Sequence, residues 1–582
     1  MKPIPSAILG ILCLGAILHA AAPADPAPPN VLLICVDDLK PLLGCYGDQR
    51  IKSPNIDRLA GRGVVFERAY CNQAVCSPSR NTLMTGKRPT TLGIYDLGTN
   101  FRKADPDAVT LAQFFMRHGY RTEAMGKIFH VGHGNGEDSA SWSVPHWSPK
   151  AAAKGGYALP ANREAAPVRA GAAVGKPPRS QTPNLPRGSA TECADVPDTT
   201  YGDGLIADEA IRRLRSAKDQ PGQPFFMGVG FLKPHLPFVA PKRYWDLYNR
   251  ADFQPHPRTT PPAGAPEFAP STWGELRNYS DIPETGPLTA DQQRLLIHGY
   301  HAAVSYMDAQ LGRVLDELDK LDLTKNTVVV LWGDHGWHLG DHGMWCKHTN
   351  YEQATRIPVV VAAPGLAKAG ARCRALVETA DLYPTLCELA GLPVPAGLDG
   401  ASFAGVLQDP ATARTKEAVF HVYPRTPKGL GELLGRAVRT ERYRLVEWKQ
   451  AGAPAAGAIL ELYDYATDPG ETRNLAADQP ETVAQLRTIL DRQPAAKPQW
   501  RAPGTTTGRP ASGAAKPKLD RGAMFDRRDA NGDGKLTREE FLANQPDPAA
   551  APQRFVQFDT DQNGELSRAE FVSGGRGPAP AP

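Results

Sequence analysis

Cys76 opens the run Cys76-Ser77-Pro78-Ser79-Arg80-Asn81-Thr82-Leu83-Met84-Thr85-Gly86. A proline in that place fits a first helical turn. The start of a helix gathers unpaired N–H groups and a partial positive charge, and so attracts an anion. Arg80, one turn on, could aim its fork back at residue 76 and at anion oxygens. Taken alone, Cys76 is either a thiolate nucleophile of lowered pKa or a structural thiol. Two acidic pairs add a second kind of chemistry. Asp37-Asp38 ends the apolar run Asn30–Val36, and Asp334-His335 follows the run Thr327–Leu331. A lone Asp-Asp pair reads as a turn or a cap. Three carboxylates at neighbouring strand ends would repel one another unless they held a cation, so the motifs together point to a divalent metal.

A second constellation lies near the far end of the chain. Asp529, Asn531, Asp533, Gly534, Lys535 and Glu540 fall at positions 1, 3, 5, 6, 7 and 12 of a twelve-residue loop, and Asp559, Asp561, Asn563, Gly564, Glu565 and Glu570 repeat the pattern. Oxygen donors at alternate positions, a glycine for the bend, a main-chain carbonyl at position 7 and a closing bidentate glutamate suit a hard cation. A solvated acidic tail would have no need of the glycines. Each loop also has Leu at position 8 and Phe after the closing Glu, and the tandem reads as an EF-hand pair holding two calcium ions. Nothing in it is catalytic, so a stabilising or docking module is expected.

The elements that must position these groups follow from pattern. Continuous apolar runs such as Asn30–Val36 and Thr327–Leu331 are strands buried on both faces; Arg121–Ala124 and Phe225–Val229 read the same way. Thr289-x-x-Gln292 resembles a capping box, opening a helix to about Lys320 with Leu311, Val314, Leu315 and Leu318 at helical spacing. Strands alternating with helices predict an α/β fold with a mostly parallel sheet covered by helices. Ala418 to Tyr465 reads as short strands broken by Gly and Pro, hence a smaller antiparallel subdomain. The expected organisation is a leader at 1–22, an α/β catalytic domain at 23–400 with a surface insertion at 149–197, a C-terminal subdomain at 401–493, a Pro/Ala/Gly/Lys linker at 494–519 and the EF-hand pair at 520–575.

Composition bounds the function. The chain has 582 residues and a formal charge of +4, from 66 Lys+Arg against 62 Asp+Glu. That balance, without long basic runs, argues against nucleic acid as a partner. Lys2, the apolar stretch Ile8–Leu18 and Ala20-Ala21-Ala22 have the parts of a secretory signal, predicting a periplasmic or secreted protein. Its apolar core is too short to span a bilayer, and no later segment reads as an integral membrane span. Nine cysteines, less Cys13 in the leader and Cys76, leave seven, an odd number that excludes a fully paired disulfide framework. Cys35, inside an apolar run, is expected to be a buried thiol.

Cys-x-Pro-x-Arg followed by the Leu-x-Thr-Gly ending resembles the signature of the type I sulfatases, in the alkaline-phosphatase-like superfamily. Val36-Asp37-Asp38-Leu39, Gly44-Cys45-Tyr46-Gly47, Ser53-Pro54-Asn55-Ile56-Asp57, Gly126-Lys127-Ile128-Phe129-His130, Lys233-Pro234-His235-Leu236-Pro237-Phe238 and Asp334-His335-Gly336-Trp337 through Lys347 are similar to the family's iduronate-2-sulfatase-like branch. The resemblance covers about 30 to 474, without the 149–197 segment or the EF-hand tail. It implies that a maturation enzyme oxidises Cys76 to formylglycine. The aldehyde hydrate would then attack sulfur beside a calcium ion held by Asp37, Asp38, Asp334, His335 and the residue-76 oxygen. His335 departs from sulfatases at large, where asparagine is usual, but matches the iduronate-2-sulfatase-like branch. Arg80, Lys127 and Lys347 would balance sulfate charge. His130 matches the residue that takes a proton from the hydrate, and His235 the one that contacts sulfate and protonates the leaving alcohol. The implied substrate is a sulfated glycan carrying a terminal 2-O-sulfated uronic acid. Arg425, in Tyr423-Pro424-Arg425 beyond His421, is either a carboxylate binder or a surface arginine; Lys233 and Trp337 stand between packing and substrate contact. The alternatives are a phosphomonoesterase or phosphodiesterase of the same superfamily and a catalytically silent calcium-binding surface protein.

Overall fold

The computed structural model describes residues 28–149, 156–164, 188–366, 368–411, 414–502, 521–526, 528–529, 531–543 and 551–573. The leader, the centre of the 149–197 segment and most of the linker lie outside them. The chain divides into two units, 1–502 and 503–582.

The first unit is built on a seven-stranded sheet of β1 (Asn30–Val36), β2 (Val64–Tyr70), β3 (Arg121–Gly126), β5 (Phe225–Phe231), β7 (Thr327–Gly333), β10 (Arg356–Ala362) and β11 (Ala371–Glu378), in the order β11-β2-β10-β7-β1-β5-β3. Short ribbons pair β4 (Thr191–Ala194) with β6 (Phe238–Pro241), and β8 (His338–Leu339) with β9 (Trp345–Cys346). Every residue of β1 and β7 is buried. The reason is visible in the two cores. Leu32, Ile34 and Val36 join Tyr300, Val304 and Leu311 of the helix Ala290–Lys320 on one face; Val31, Leu33 and Cys35 join Leu83, Met84 and Phe115 on the other. Alternate side chains of one strand thus serve two apolar layers, which demands an unbroken apolar run.

The sheet is mostly parallel, but β10 runs antiparallel to both β2 and β7. A strand buried on both faces has the same composition in either direction, so the sequence carries no mark of this reversal. Thr289 does cap the long helix: its side chain accepts from the Gln292 N–H, and the Gln292 side chain answers on the Thr289 N–H. A second, antiparallel sheet orders β12 (Ala418–Arg425), β13 (Leu433–Thr440), β14 (Tyr443–Lys449) and β15 (Ile459–Asp464). It is tied to the first by a buried ion cluster in which Glu352 accepts from Arg444, Arg439 and the Tyr70 hydroxyl.

Two stretches differ from their compositional reading. Both described ends of the 149–197 segment are built into the fold: Tyr157 is buried, and Glu192 accepts from the Ala158 and Leu159 N–H groups and the Tyr201 hydroxyl. Residues 497–500, expected in a linker, bond the first unit through Lys497 N–H to Thr90 O (2.9 Å) and Trp500 N–H to Gly93 O (2.6 Å). Trp500 also packs against the core. Pro and Ala lower the apparent order of a stretch whose backbone is nonetheless paired.

The second unit pairs Leu536 with Leu566 between β16 (Lys535–Thr537) and β17 (Glu565–Ser567). Around them Phe525, Phe541, Phe555 and Phe571 form an aromatic core.

Candidate active site

The register of β1 on β7 puts Val36 beside Gly333, so Asp37, Asp38 and Asp334 leave the sheet side by side. They are interlocked at once: the Asp38 N–H donates to Asp334 Oδ1 (2.9 Å), as does the His335 N–H (3.0 Å). Asp38 takes a left-handed φ of 60°, which turns its carboxylate back over the strand ends. All three carboxylates and His335 are buried. Buried carboxylates are costly unless compensated, and compensation comes from the neighbouring elements.

The helix Cys76–Thr85 runs under the strand ends with every residue buried, and ends at Gly86 with φ 67°. It places the Cys76 sulfur 3.3 Å from His335 Nε2 and sends Arg80 beneath the carboxylates. Arg80 is fully buried. Its Nε donates to Asp334 Oδ2 (3.0 Å), one terminal nitrogen to Asp37 Oδ1 (3.2 Å), and the other to the carbonyls of Lys127 and Ile128. The fork therefore binds strand ends rather than reaching past Cys76. Burial, with Asp37 adding to it, pushes the Cys76 thiol well above its usual range. Such a group stays protonated, against the thiolate reading.

Lys127 follows β3 and ion-pairs Asp37 Oδ2. Gly230, opposite it in β5, must lack a side chain, because a Cβ would be driven into the Lys127 carbonyl. Lys347 reaches Asp38 Oδ1 (3.0 Å) and Oδ2 (3.1 Å). Burial opposes both ammonium charges, yet Asp37 and Asp38 outweigh it and both pKa values are raised. Against its burial, Lys127, His235 and Arg80 hold Asp37 well below the usual carboxylate range. Burial and then Lys127 push His130 down to about 2. Its Nε2 lies 3.2 Å from His133 Nδ1. Cys76, Lys127, His130, His235 and Lys347 line one cavity of about 630 Å³, together with Asp37, Lys233, Glu275 and His348.

Glu275 escaped the sequence reading. Its carboxylate bridges His235 Nε2 (3.1 Å) and Lys347 Nζ (2.9 Å). It sits in an irregular stretch without periodicity or motif, and only the tertiary fold brings it to the cavity. Three undecided residues take definite places. Lys233 spends its ammonium on the carbonyls of His235 (2.6 Å) and Pro237 (2.8 Å), holding its own loop. Trp337 is buried against Phe238 and lies under the Lys347 ammonium. Arg425 gives its guanidinium to the carbonyls of Phe268, Ala269, Pro270 and His348, a clamp between two loops rather than an open carboxylate site.

The residues fit a resident cation. Ligand atoms of Asp37, Cys76, Asp334 and His335 lie within 4.8 Å of one another, and Asp38 joins Asp37, Cys76 and His235 in an overlapping group. The oxygen-rich donor set suits a hard divalent ion, and an oxygen at residue 76 would suit it better than sulfur. In the second unit Asp559, Asp561 and Glu570 are likewise within 4.8 Å. The first loop holds Asp529 on the N–H groups of Asp533 (3.1 Å) and Gly534 (2.8 Å). Asn531 Oδ1 accepts from Asp533 as well, and Glu540 from Thr537. Gly534 and Gly564 have φ of 79° and 85°, which explains glycine at the sixth loop position. Lys535 and Glu565 at the seventh pair their side chains with each other (2.9 Å).

Comparison with known proteins gives these sites their setting. The sulfatase family model matches residues 29–392. The model described as N-sulphoglucosamine sulphohydrolase, C-terminal, matches 340–495, and the EF hand model matches 522–543 and 553–573. Iduronate 2-sulfatase of Mus musculus is 37% identical over 425 residues, covering 67% of this chain and 74% of that protein. A protein solved in complex with its substrate D-glucosamine-2-N,6-O-disulfate shares the fold at TM-score 0.62 and 22% identity, over 80% of this chain and 97% of that one. Phosphonate monoester hydrolase of Agrobacterium radiobacter does so at TM-score 0.62 and 23% identity, over 79% and 96%. At those identities the two structures speak to the fold alone. The family match, by contrast, spans the strand ends that carry Asp37 and Asp334 and the helix that opens at Cys76, and the chain belongs to the sulfatase family.

Proposed function

We propose that this sulfatase removes the 2-O-sulfate of a terminal uronic acid in a glycosaminoglycan-like glycan, with Cys76 oxidised to formylglycine as its nucleophile. The observation that carries the reading is the convergence of Lys127, His130, His235 and Lys347 with Cys76 on one cavity, above Arg80. The 2-O-uronate assignment leans on the mouse relative's name.

Formylglycine supplies a geminal diol, one hydroxyl to attack sulfur and a second to expel the sulfate afterwards. Asp37, Asp38, Asp334 and His335, with the residue-76 oxygen, would hold a calcium ion that favours the ionised form of the attacking hydroxyl. The chain's own residues do the rest. Arg80 fixes Asp37 and Asp334 in one plane of hydrogen bonds, so the donor atoms are set before substrate arrives. Lys127 and Lys347 face the cavity with their charges secured, ready for the charge that builds on sulfate oxygens. His130, neutral at working pH, can accept the proton released as the second hydroxyl expels sulfate. His235 gives a proton to the departing sugar oxygen. The second unit would hold two further calcium ions. The leader at 1–22 would direct the chain to the periplasm or the exterior, and a formylglycine-generating enzyme is its maturation partner.

Sulfate release across a panel of defined sulfated glycans tests the substrate. Release from terminal 2-O-sulfated uronides is expected, and activity confined to 4- or 6-O-sulfated sugars would overturn the assignment. Mass spectrometry of the Cys76 peptide tests the nucleophile, which an unmodified thiol in active enzyme would refute.

A further inference from the structure

His235 is held at both ring nitrogens. Nδ1 lies 2.6 Å from the Leu236 carbonyl and Nε2 lies 3.1 Å from Glu275 Oε1. A carbonyl and an ionised carboxylate can only accept, so satisfying both contacts requires a proton on each nitrogen. Glu275 is secured in turn, because its other oxygen takes the Lys347 ammonium at 2.9 Å. Lys347 and the bond from His235 keep the Glu275 carboxyl well below its ordinary range despite burial. Burial and the Lys347 ammonium oppose the cationic form of the imidazole, while the other charges facing it, Asp38 and Asp37, favour that form.

We propose that Glu275 is a positioning residue that holds His235 as the doubly protonated imidazolium, keeping the Nε2 proton at the cavity wall until the departing oxygen replaces the carboxylate as its acceptor. The proposal rests on the reading of His235 as the acid of the sulfatase reaction. As the sulfur–oxygen bond to the sugar breaks, its electron pair stays on the bridging oxygen. The Nε2 proton moves to that oxygen and the alcohol leaves neutral. His235 remains as imidazole with its Nδ1–H on the Leu236 carbonyl, and regains a proton from water when the products have gone. The net reaction is sulfate monoester plus water to alcohol plus hydrogen sulfate. A sugar alkoxide is a poor leaving group and needs this proton; a nitrophenolate does not.

Two measurements on the full-length chain test the proposal. Nitrogen-15 NMR of histidine-labelled protein at neutral pH reads the ring directly, the His235 signals being assigned by their loss in His235→Gln. Two protonated nitrogens are expected in the wild type, and one unprotonated nitrogen in Glu275→Gln. A neutral ring in the wild type, or an unchanged ring in the variant, overturns the proposal. The second measurement compares kcat on a 2-O-sulfated uronide and on 4-nitrophenyl sulfate, with Cys76 oxidation checked by mass spectrometry. Glu275→Gln should lose on the order of 10²-fold on the uronide and less than about threefold on the aryl ester, the span set by general-acid catalysis. Glu275→Asp should restore part of the loss. Equal loss on both esters would mark a merely structural role, and a rise in kcat/KM would show the carboxylate blocking the sulfate position; either overturns the proposal. If His235→Gln itself shows no split between the esters while the NMR result holds, the failure lies in the reading of His235 as the acid.

Discussion

Arg80→Lys separates charge from shape at the centre of the site. The guanidinium is fully buried and gives four hydrogen bonds, to Asp334, Asp37 and the carbonyls of Lys127 and Ile128. Lysine keeps the positive charge, so Asp37 and Asp334 are not abandoned, but a single ammonium on a flexible stem cannot span acceptors spread over two strand ends and the Lys127 turn. About two of the four bonds are lost. At roughly 1.5–3 kcal/mol for each bond to a charged group, the expected destabilisation is about 3–6 kcal/mol. Denaturant unfolding can be followed through Trp332, whose ring lies 5.9 Å from the Arg80 guanidinium carbon. Sulfate release, normalised to the oxidised fraction of Cys76, should fall by more than about 10²-fold, because the carboxylates and Lys127 lose their common brace. A variant within about 1 kcal/mol of wild type that keeps half its activity would refute the reasoning and show that positive charge alone suffices.

Cys76→Ser offers one hydroxyl where formylglycine hydrate offers two, so it is expected to take sulfate once and stall. Intact mass should show a sulfated protein, and sustained turnover would contradict the scheme. Glu352→Gln removes the anion that Arg444, Arg439 and Tyr70 share between the two sheets. Burial opposes that charge, but Arg439 and Arg444 win and lower the Glu352 pKa to about 2. A depressed carboxyl contributes stability above its ordinary pKa and loses it as pH falls. The wild type should therefore exceed the variant by about 3 kcal/mol at pH 7, a gap that narrows as pH falls below about 4.5. A gap that is constant from pH 7 to pH 3 would contradict the assignment. Truncation after Ala502 should leave kcat within about twofold while removing two calcium sites by titration calorimetry, whereas truncation before Pro494 also strips the Lys497 and Trp500 contacts and should lower the melting temperature.

What the sequence reveals of this molecule depends on how local the cause is. The apolar runs before Asp37 and Asp334, the Thr289 capping box and the paired EF-hand loops are written in consecutive residues, because strand burial, helix capping and loop ligation are themselves local. The direction of β10 is not, since a doubly buried strand reads alike both ways. Arg425 shows the limit from the other side. Its Tyr-Pro-Arg context invites a ligand role, but four backbone carbonyls from distant loops consume the guanidinium. Glu275 is the mirror case, an undistinguished residue that the fold sets between His235 and Lys347.

The charge pattern of the site explains why so many ionised groups can share one buried place. Asp37, Asp38, Asp334 and Glu275 bring four negative charges; Arg80, Lys127, Lys347 and, on the proposal above, doubly protonated His235 bring four positive ones. The Lys233 ammonium in the same cavity faces Asp203. Each of the four cations is within hydrogen-bonding or ion-pairing distance of a carboxylate of this group. The protein alone is thus near neutrality and can fold without leaving a buried charge uncompensated. A divalent cation on the strand-end carboxylates would turn the balance positive by two, which a sulfate ester and the ionised hydroxyl at residue 76 would bring back to zero. Metal and substrate would then favour one another through electrostatics, and the same arrangement discriminates against neutral glycans without any contact to the sugar.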